Sequence, residues 1–173
     1  MGQDFESNHR SGFGRNRRFQ RKCDEPVRRI NLIVIHCSAT REDRPFTEQD
    51  LETAHRLRGF DGTGYHFYVR RNGDIKSTRL VERVGAHVRG HNANSIGICY
   101  EGGLDCHGLA KDTRTEWQRH SLRVLVRALK MDYPEARIIG HRDLSPDVNG
   151  NGEMEPMEWT KECPCFEVGK ERW

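Results

Sequence analysis

Short apolar runs alternate with amphipathic segments along this chain. Arg29–His36 (RINLIVIH) is a short apolar, β-branched run, which predicts a strand buried on both faces with His36 at its C-terminal end. Thr47 followed by Asp50 opens a segment with Leu51, Ala54 and Leu57 on one side, predicting a helix to about Arg58 that Gly59 stops. Within GTGYHFYVRRNGDIKS, the Asn72-Gly73 pair predicts a hairpin on a type I′ turn, which needs positive φ at both positions. Asn94–Tyr100 predicts a second buried strand, broken by Gly102-Gly103. Thr115 and Gln118 frame a capping box for a long helix. Trp117, Val124, Ala128 and Met131, with Leu122, Leu125 and Leu129 beside them, form its expected apolar face, and Pro134 ends it. Ala136–Gly140 predicts a last strand delivering His141. The fold class expected is α/β, a single domain with a central mixed β-sheet flanked by helices, because the hairpin cannot be parallel.

A chain of 173 residues is long enough for one ordinary core and too short for two. The formal charge of +3 is unevenly spread: residues 1–29 carry a net +4, which leaves −1 for the remainder. Residues 1–28 are rich in Gly, Ser, Asn and Arg without apolar period and read as a basic, disordered tail, with the folded domain at 29–173. Because the basic character lies in that tail, no nucleic-acid partner is expected. No apolar segment long enough for a signal peptide core or a membrane span occurs, so the expectation is synthesis in the cytoplasm, no membrane insertion, and a monomer. The six cysteines, Cys23, Cys37, Cys99, Cys106, Cys163 and Cys165, are then read as thiols or metal ligands before disulfides.

His36 in IHCSAT, His141 in IIGHRD and Cys163 in KECPCF each stand beside a strand end or turn. Two imidazoles and one thiolate suit a catalytic zinc, which keeps three protein ligands and one open position. Spacing alone is a weak argument, since nine histidines and six cysteines allow many triples. IHCSAT, GYHF, NSIGIC, GHRD and CPCF, in this order, resemble the type-2 N-acetylmuramoyl-L-alanine amidases, the superfamily of the T-odd phage lysozyme and the peptidoglycan recognition proteins. The resemblance covers about residues 29–167. It implies zinc on His36, His141 and Cys163, catalytic roles for Tyr65 of GYHF and for Lys161, and a substrate-binding place for His87 in the cleft. By that resemblance, zinc-activated water attacks the amide bond between N-acetylmuramic acid and L-alanine of peptidoglycan. Lys161 supplies positive charge to the oxyanion, and Tyr65 orients the water or relays its proton. His66, adjacent to Tyr65 on a strand, is expected to face away and be structural.

The expected biology is a phage or prophage endolysin-type enzyme that acts on the wall after release, with peptidoglycan or muropeptides as partner. The alternatives are a cytoplasmic muropeptide-recycling amidase and a recognition module that binds without cutting; retention of the cysteine ligand disfavours both. One departure from the family pattern is an insertion over residues 144–159. Its Asp147, Asn149, Asn151, Gly152, Glu153 and Glu158 fit the spacing of an EF-hand loop, whose oxygen donors suit calcium as a second, structural ion.

Overall fold

The computed structural model describes residues 28–173; the expected basic tail and Cys23 lie outside the described residues. Among the described residues, seven strands and two α-helices follow in the order β1 (Leu32–Cys37), β2 (Thr40–Arg41), α1 (Glu48–Leu57), β3 (Phe67–Val69), β4 (Ile75–Ser77), β5 (Ser95–Tyr100), β6 (Gly103–Leu104), α2 (Glu116–Asp132) and β7 (Arg137–Gly140). The main sheet runs β4-β3-β5-β1-β7. All its pairings are parallel except the β3–β4 hairpin, so the sheet is mixed as the sequence predicts.

β1 and β5 occupy central positions and every residue of both is buried, which explains their unbroken apolar runs. Strand alternation divides β1 into two faces. Ile33, Ile35 and Cys37 join Ile96, Ile98 and Tyr100 in the core that receives α2. Leu32 and Val34 point to the opposite side with Val88 and Ile139, and His36 follows them by parity. Fully burying an Ile or Leu side chain contributes about 1.5–3 kcal/mol, so this layer supplies much of the drive to fold.

Both helix starts are as predicted. Thr47 with Asp50, and Thr115 with Gln118, form reciprocal capping boxes. The inward faces differ from expectation. On α1, Leu51 and His55 are buried one turn apart, whereas Leu57 is 84% exposed. On α2, Leu122, Leu125, Val126 and Leu129 are buried, whereas Trp117, Val124 and Met131 face solvent. The helix is rotated because Gln118 is fully buried: its amide donates to Val69 O at 3.1 Å and Glu101 O at 2.9 Å, tying α2 to the ends of β3 and β5. The hairpin is also not type I′. Gly73 N–H closes on Arg70 O at 2.8 Å and only Gly73, at φ +91°, is left-handed, so Arg71–Gly73 form a three-residue loop ending in a glycine bulge.

Candidate metal centre

Parallel pairing of β1 with β7 brings the C-terminal ends of both strands to one edge of the sheet. His36 lies at that end of β1, and His141 follows β7 directly, its N–H extending the ladder to Ile35 O at 3.1 Å. The two rings stand with centroids 4.6 Å apart. Cys163 arrives from the C-terminal loop. Its carbonyl accepts from Arg142 N–H at 2.8 Å, and its sulphur accepts from Cys37 N–H at 3.2 Å. One donor atom from each of His36, His141 and Cys163 lies within 4.8 Å of the others, the one such His/Cys/Asp/Glu group among the described residues. His36 Nδ1 and Cys163 Sγ are 3.8 Å apart. Zinc–nitrogen bonds of about 2.0–2.1 Å and zinc–sulphur bonds of about 2.3 Å at a tetrahedral angle call for roughly 3.6 Å between such donors. The donor set therefore fits zinc in type, number and spacing.

The protonation states suit it too. Burial, then the neighbouring His87, His141 and Lys161, hold His36 well below the ordinary imidazole range. Burial, then the Lys161 ammonium, brings His141 down to about 4. Both rings are neutral at neutral pH and offer lone pairs. His36 is fixed further by a chain of hydrogen bonds. Its Nε2 lies 3.0 Å from His87 Nδ1, His87 Nε2 lies 3.3 Å from Ser95 Oγ, and Ser95 Oγ donates to His91 O at 2.7 Å. With His36 Nδ1 turned toward Cys163 Sγ and left without a proton, only one assignment satisfies every partner: His36 Nε2–H donates to His87, whose own Nε2–H donates to Ser95.

His87 is 8% exposed and stands edge-on to His36. Two glycines make its slot. A Cβ on Gly97 would stand 2.6 Å from His87 Cγ, and one on Gly85 would stand 2.5 Å from His87 Cδ2. The backbone is pinned by Asn92 Oδ1, which accepts from His87 N–H at 2.8 Å and Val88 N–H at 2.9 Å. Burial lowers the His87 pKa to about 3.

Tyr65 is half-buried, its ring 4.9 Å from that of His36. Burial pushes its phenol well above the usual range, so the hydroxyl keeps its proton. The segment that carries it is anchored on both sides. Gly64 N–H donates to His55 Nδ1 at 2.9 Å, and Thr78 Oγ1–H donates to Tyr65 O at 2.9 Å. His55 is a positioning residue that the sequence did not single out; its burial at i+4 from Leu51 was the available signal. His66 is fully buried and structural: its Nδ1 accepts from Gly97 N–H at 3.0 Å, and its Nε2 pairs with Arg83 O at 3.0 Å. Lys161 is exposed, two residues before Cys163, and its charge reaches both His36 and His141.

The insertion is wound on itself. Asp147 accepts from Gly150 N–H at 2.6 Å and Gly152 N–H at 2.9 Å, and Asn149 and Asn151 cap Asn151 N–H and Glu153 N–H. Glu158 Oε1 accepts from Val148 N–H at 2.8 Å and Asn149 N–H at 3.0 Å, and the Glu155 N–H on its other oxygen, then the Asn149 and Val148 amides, lower its pKa. Asp147, Glu153 and Glu158 do not gather their oxygens as the zinc-type donors do. At the insertion's exit, Trp159 lies under the Arg142 guanidinium, 4.0 Å from ring centroid to carbon, which joins it to the turn after His141.

Residues 26–165 match the family described as N-acetylmuramoyl-L-alanine amidase. The endolysin of Klebsiella phage KP32 is 33% identical over 141 residues, covering 82% of this chain and 83% of the endolysin. The endolysin of Escherichia phage T7 is 33% identical over 143 residues, covering 83% and 84%. Among solved structures, the N-acetylmuramoyl-L-alanine amidase LysC from Clostridium intestinale URNW superposes with a TM-score of 0.62 at 30% identity, covering 80% of this chain and 78% of LysC. Drosophila PGRP-LB, at 20% identity and a TM-score of 0.59 over 79% of this chain and 75% of its own, shares the fold.

Proposed function

The chain belongs to the N-acetylmuramoyl-L-alanine amidase family, and from that premise we propose that His36, His141 and Cys163 hold one zinc ion beside which Tyr65 and Lys161 act. The protein is a peptidoglycan hydrolase of the phage type, cleaving the amide bond between N-acetylmuramic acid and L-alanine. The observation that carries the site assignment is the convergence of two neutral imidazoles and a thiol within 4.8 Å at one sheet edge.

Zinc held there would supply Lewis acidity toward the lactyl carbonyl and would acidify a water to a pKa near 7. The chain's own groups do the remaining work. His87 and Ser95 keep His36 in the tautomer whose Nδ1 is free. Tyr65 Oη, protonated at working pH, orients the attacking water by a hydrogen bond or relays its proton. The Lys161 ammonium places positive charge where the carbonyl oxygen becomes an oxyanion. Among the described residues no helix is long and apolar enough to cross a membrane. The phage relatives support the reading that the protein reaches the wall after release from the cytoplasm. Calcium at the Asp147–Glu158 loop is part of the proposal as a structural ion that would take over the donors now spent on the loop's own amides.

The deciding experiment incubates zinc-loaded and chelated protein with purified sacculi and counts new L-alanine amino termini and new reducing ends. Amino termini that depend on zinc, without reducing ends, are expected. Reducing ends would mean a glycosidase, and binding without release a recognition module. Cys163→Ser is expected to lose zinc on dialysis; a variant that retained it would refute the ligand assignment.

A further inference from the structure

Cys37 and Cys165 take no part in the zinc reading, yet the fold brings them together across 128 residues of chain, with sulphurs 3.7 Å apart. Cys37 is 5% exposed at the end of β1, on the face that packs against α2, and Cys165 is half-buried. The space both sulphurs share exists because residue 103 is glycine. A Cβ there would stand 2.5 Å from Cys37 Sγ and 3.6 Å from Cys165 Sγ. The backbone on each side is held in place. Tyr100 Oη–H donates to Pro164 O at 2.6 Å, Cys165 N–H donates to Glu162 O at 2.7 Å, and Cys37 N–H donates to Cys163 Sγ at 3.2 Å. Cys165 sits at φ +68°, a conformation a side chain adopts at a cost and keeps only where its surroundings fix it. Closing the gap between these two sulphurs to a bond of about 2.05 Å asks for an approach of roughly 1.7 Å on segments that are already anchored.

We propose that Cys37 and Cys165 are a disulfide-forming pair, reduced in the cytoplasm and oxidised outside it, whose bond ties the end of β1 to the loop that presents Cys163. The oxidant is a low-molecular-weight disulfide. Cys165 Sγ, the more accessible of the two, attacks one of the oxidant's sulphurs, its proton passes to the departing sulphur, and one thiol leaves. Cys37 Sγ then attacks Cys165 Sγ of the mixed disulfide, and its proton leaves with the second thiol. Two protein thiols thus give up two hydrogens, and the oxidant disulfide becomes two thiols. Cys163 stays out of the exchange while the metal engages it, a point that rests on the zinc reading above.

The test oxidises the zinc-loaded full chain with oxidised glutathione, alkylates the remaining thiols, and maps peptides while zinc content is measured separately. The expected result is a peptide pair linked through Cys37 and Cys165, reversed by dithiothreitol, with zinc retained and the thermal midpoint raised by about 5–10 °C, as closure of a long loop implies. Cys165→Ser should show neither the link nor the shift. Alkylation of both Cys37 and Cys165 after oxidation would overturn the proposal, as would a bond through Cys163 in protein that still holds zinc. Failure of the reduced protein to load zinc, with the Cys37–Cys165 link still forming on oxidation, would leave the pair standing and refute the ligand set.

Discussion

Replacing His87 by Ala tests whether the buried imidazole behind His36 determines metal affinity. His36 is 1% exposed, and its Nε2 has one partner, His87 Nδ1 at 3.0 Å. Without that acceptor, the metal-competent tautomer leaves a buried N–H unpaired, at a cost of about 1–3 kcal/mol, so the free protein shifts to the tautomer with its proton on Nδ1. Zinc must then reverse that shift. At 1.4 kcal/mol per tenfold change, the zinc dissociation constant should rise by roughly 5- to 100-fold, in line with losses seen for partners of ligating histidines. Competition with a chromophoric chelator measures the constant, and nitrogen-15 NMR of the histidine rings reads the tautomer directly. His87→Gln, which keeps an acceptor, should restore part of the affinity. The reasoning is refuted if His87→Ala, folded by circular dichroism, binds zinc as tightly as the parent with the His36 tautomer unchanged.

Acid should unfold the protein early. His55, His66 and His141 have folded pKa values lowered to about 4 and His87 to about 3, all chiefly by burial, against about 6.5 in the unfolded chain. The unfolded state therefore binds protons first: stability is complete above about pH 6.5 and falls as pH drops toward 4, by roughly 3 kcal/mol for a fully buried ring such as His66. Urea midpoints across that range check it, and a flat profile would contradict it. Gly64→Ala should lower stability by about 2–4 kcal/mol and displace Tyr65, because its Cβ would stand 2.2 Å from the backbone oxygen of Ala86; thermal melting reads the loss, and an unchanged midpoint would show that this segment gives way easily. Calcium at 100 times its dissociation constant should stabilise by about 2.7 kcal/mol if the Asp147–Glu158 loop takes it. Equal melting in calcium and in a calcium-selective chelator would remove calcium from the proposal.

The order of the main-sheet strands and the two helices, both capping boxes and the two central strands could be read directly from the sequence, because each rests on interactions within a few residues, whereas the short β2–β6 pair could not. A β-branched run buried on both faces looks the same locally and in the fold, and a Thr–x–x–Asp or Thr–x–x–Gln cap is complete in four residues. Helix rotation was not legible: the sequence places Trp117, Val124 and Met131 on one apolar face with Leu122, Leu125 and Leu129, and the fold buries only the leucine side, where Gln118 bonds to Val69 and Glu101. The turn type at Asn72-Gly73 likewise followed from the register of β3 on β4.

For the site, the sequence by itself supplied the donors and the motifs that ordered them. It could not supply their convergence, which follows from the parallel pairing of β1 with β7. Only the tertiary structure set His87 against His36, because its slot is made by Gly85 and Gly97, residues separated from each other by a turn and by strand order. Cys37 and Cys165 were two thiols among six until long-range packing set them side by side. Ligand chemistry is a property of residue type and so is written in the sequence, whereas hydrogen-bond partners beyond the first contact depend on distances that only the folded chain defines.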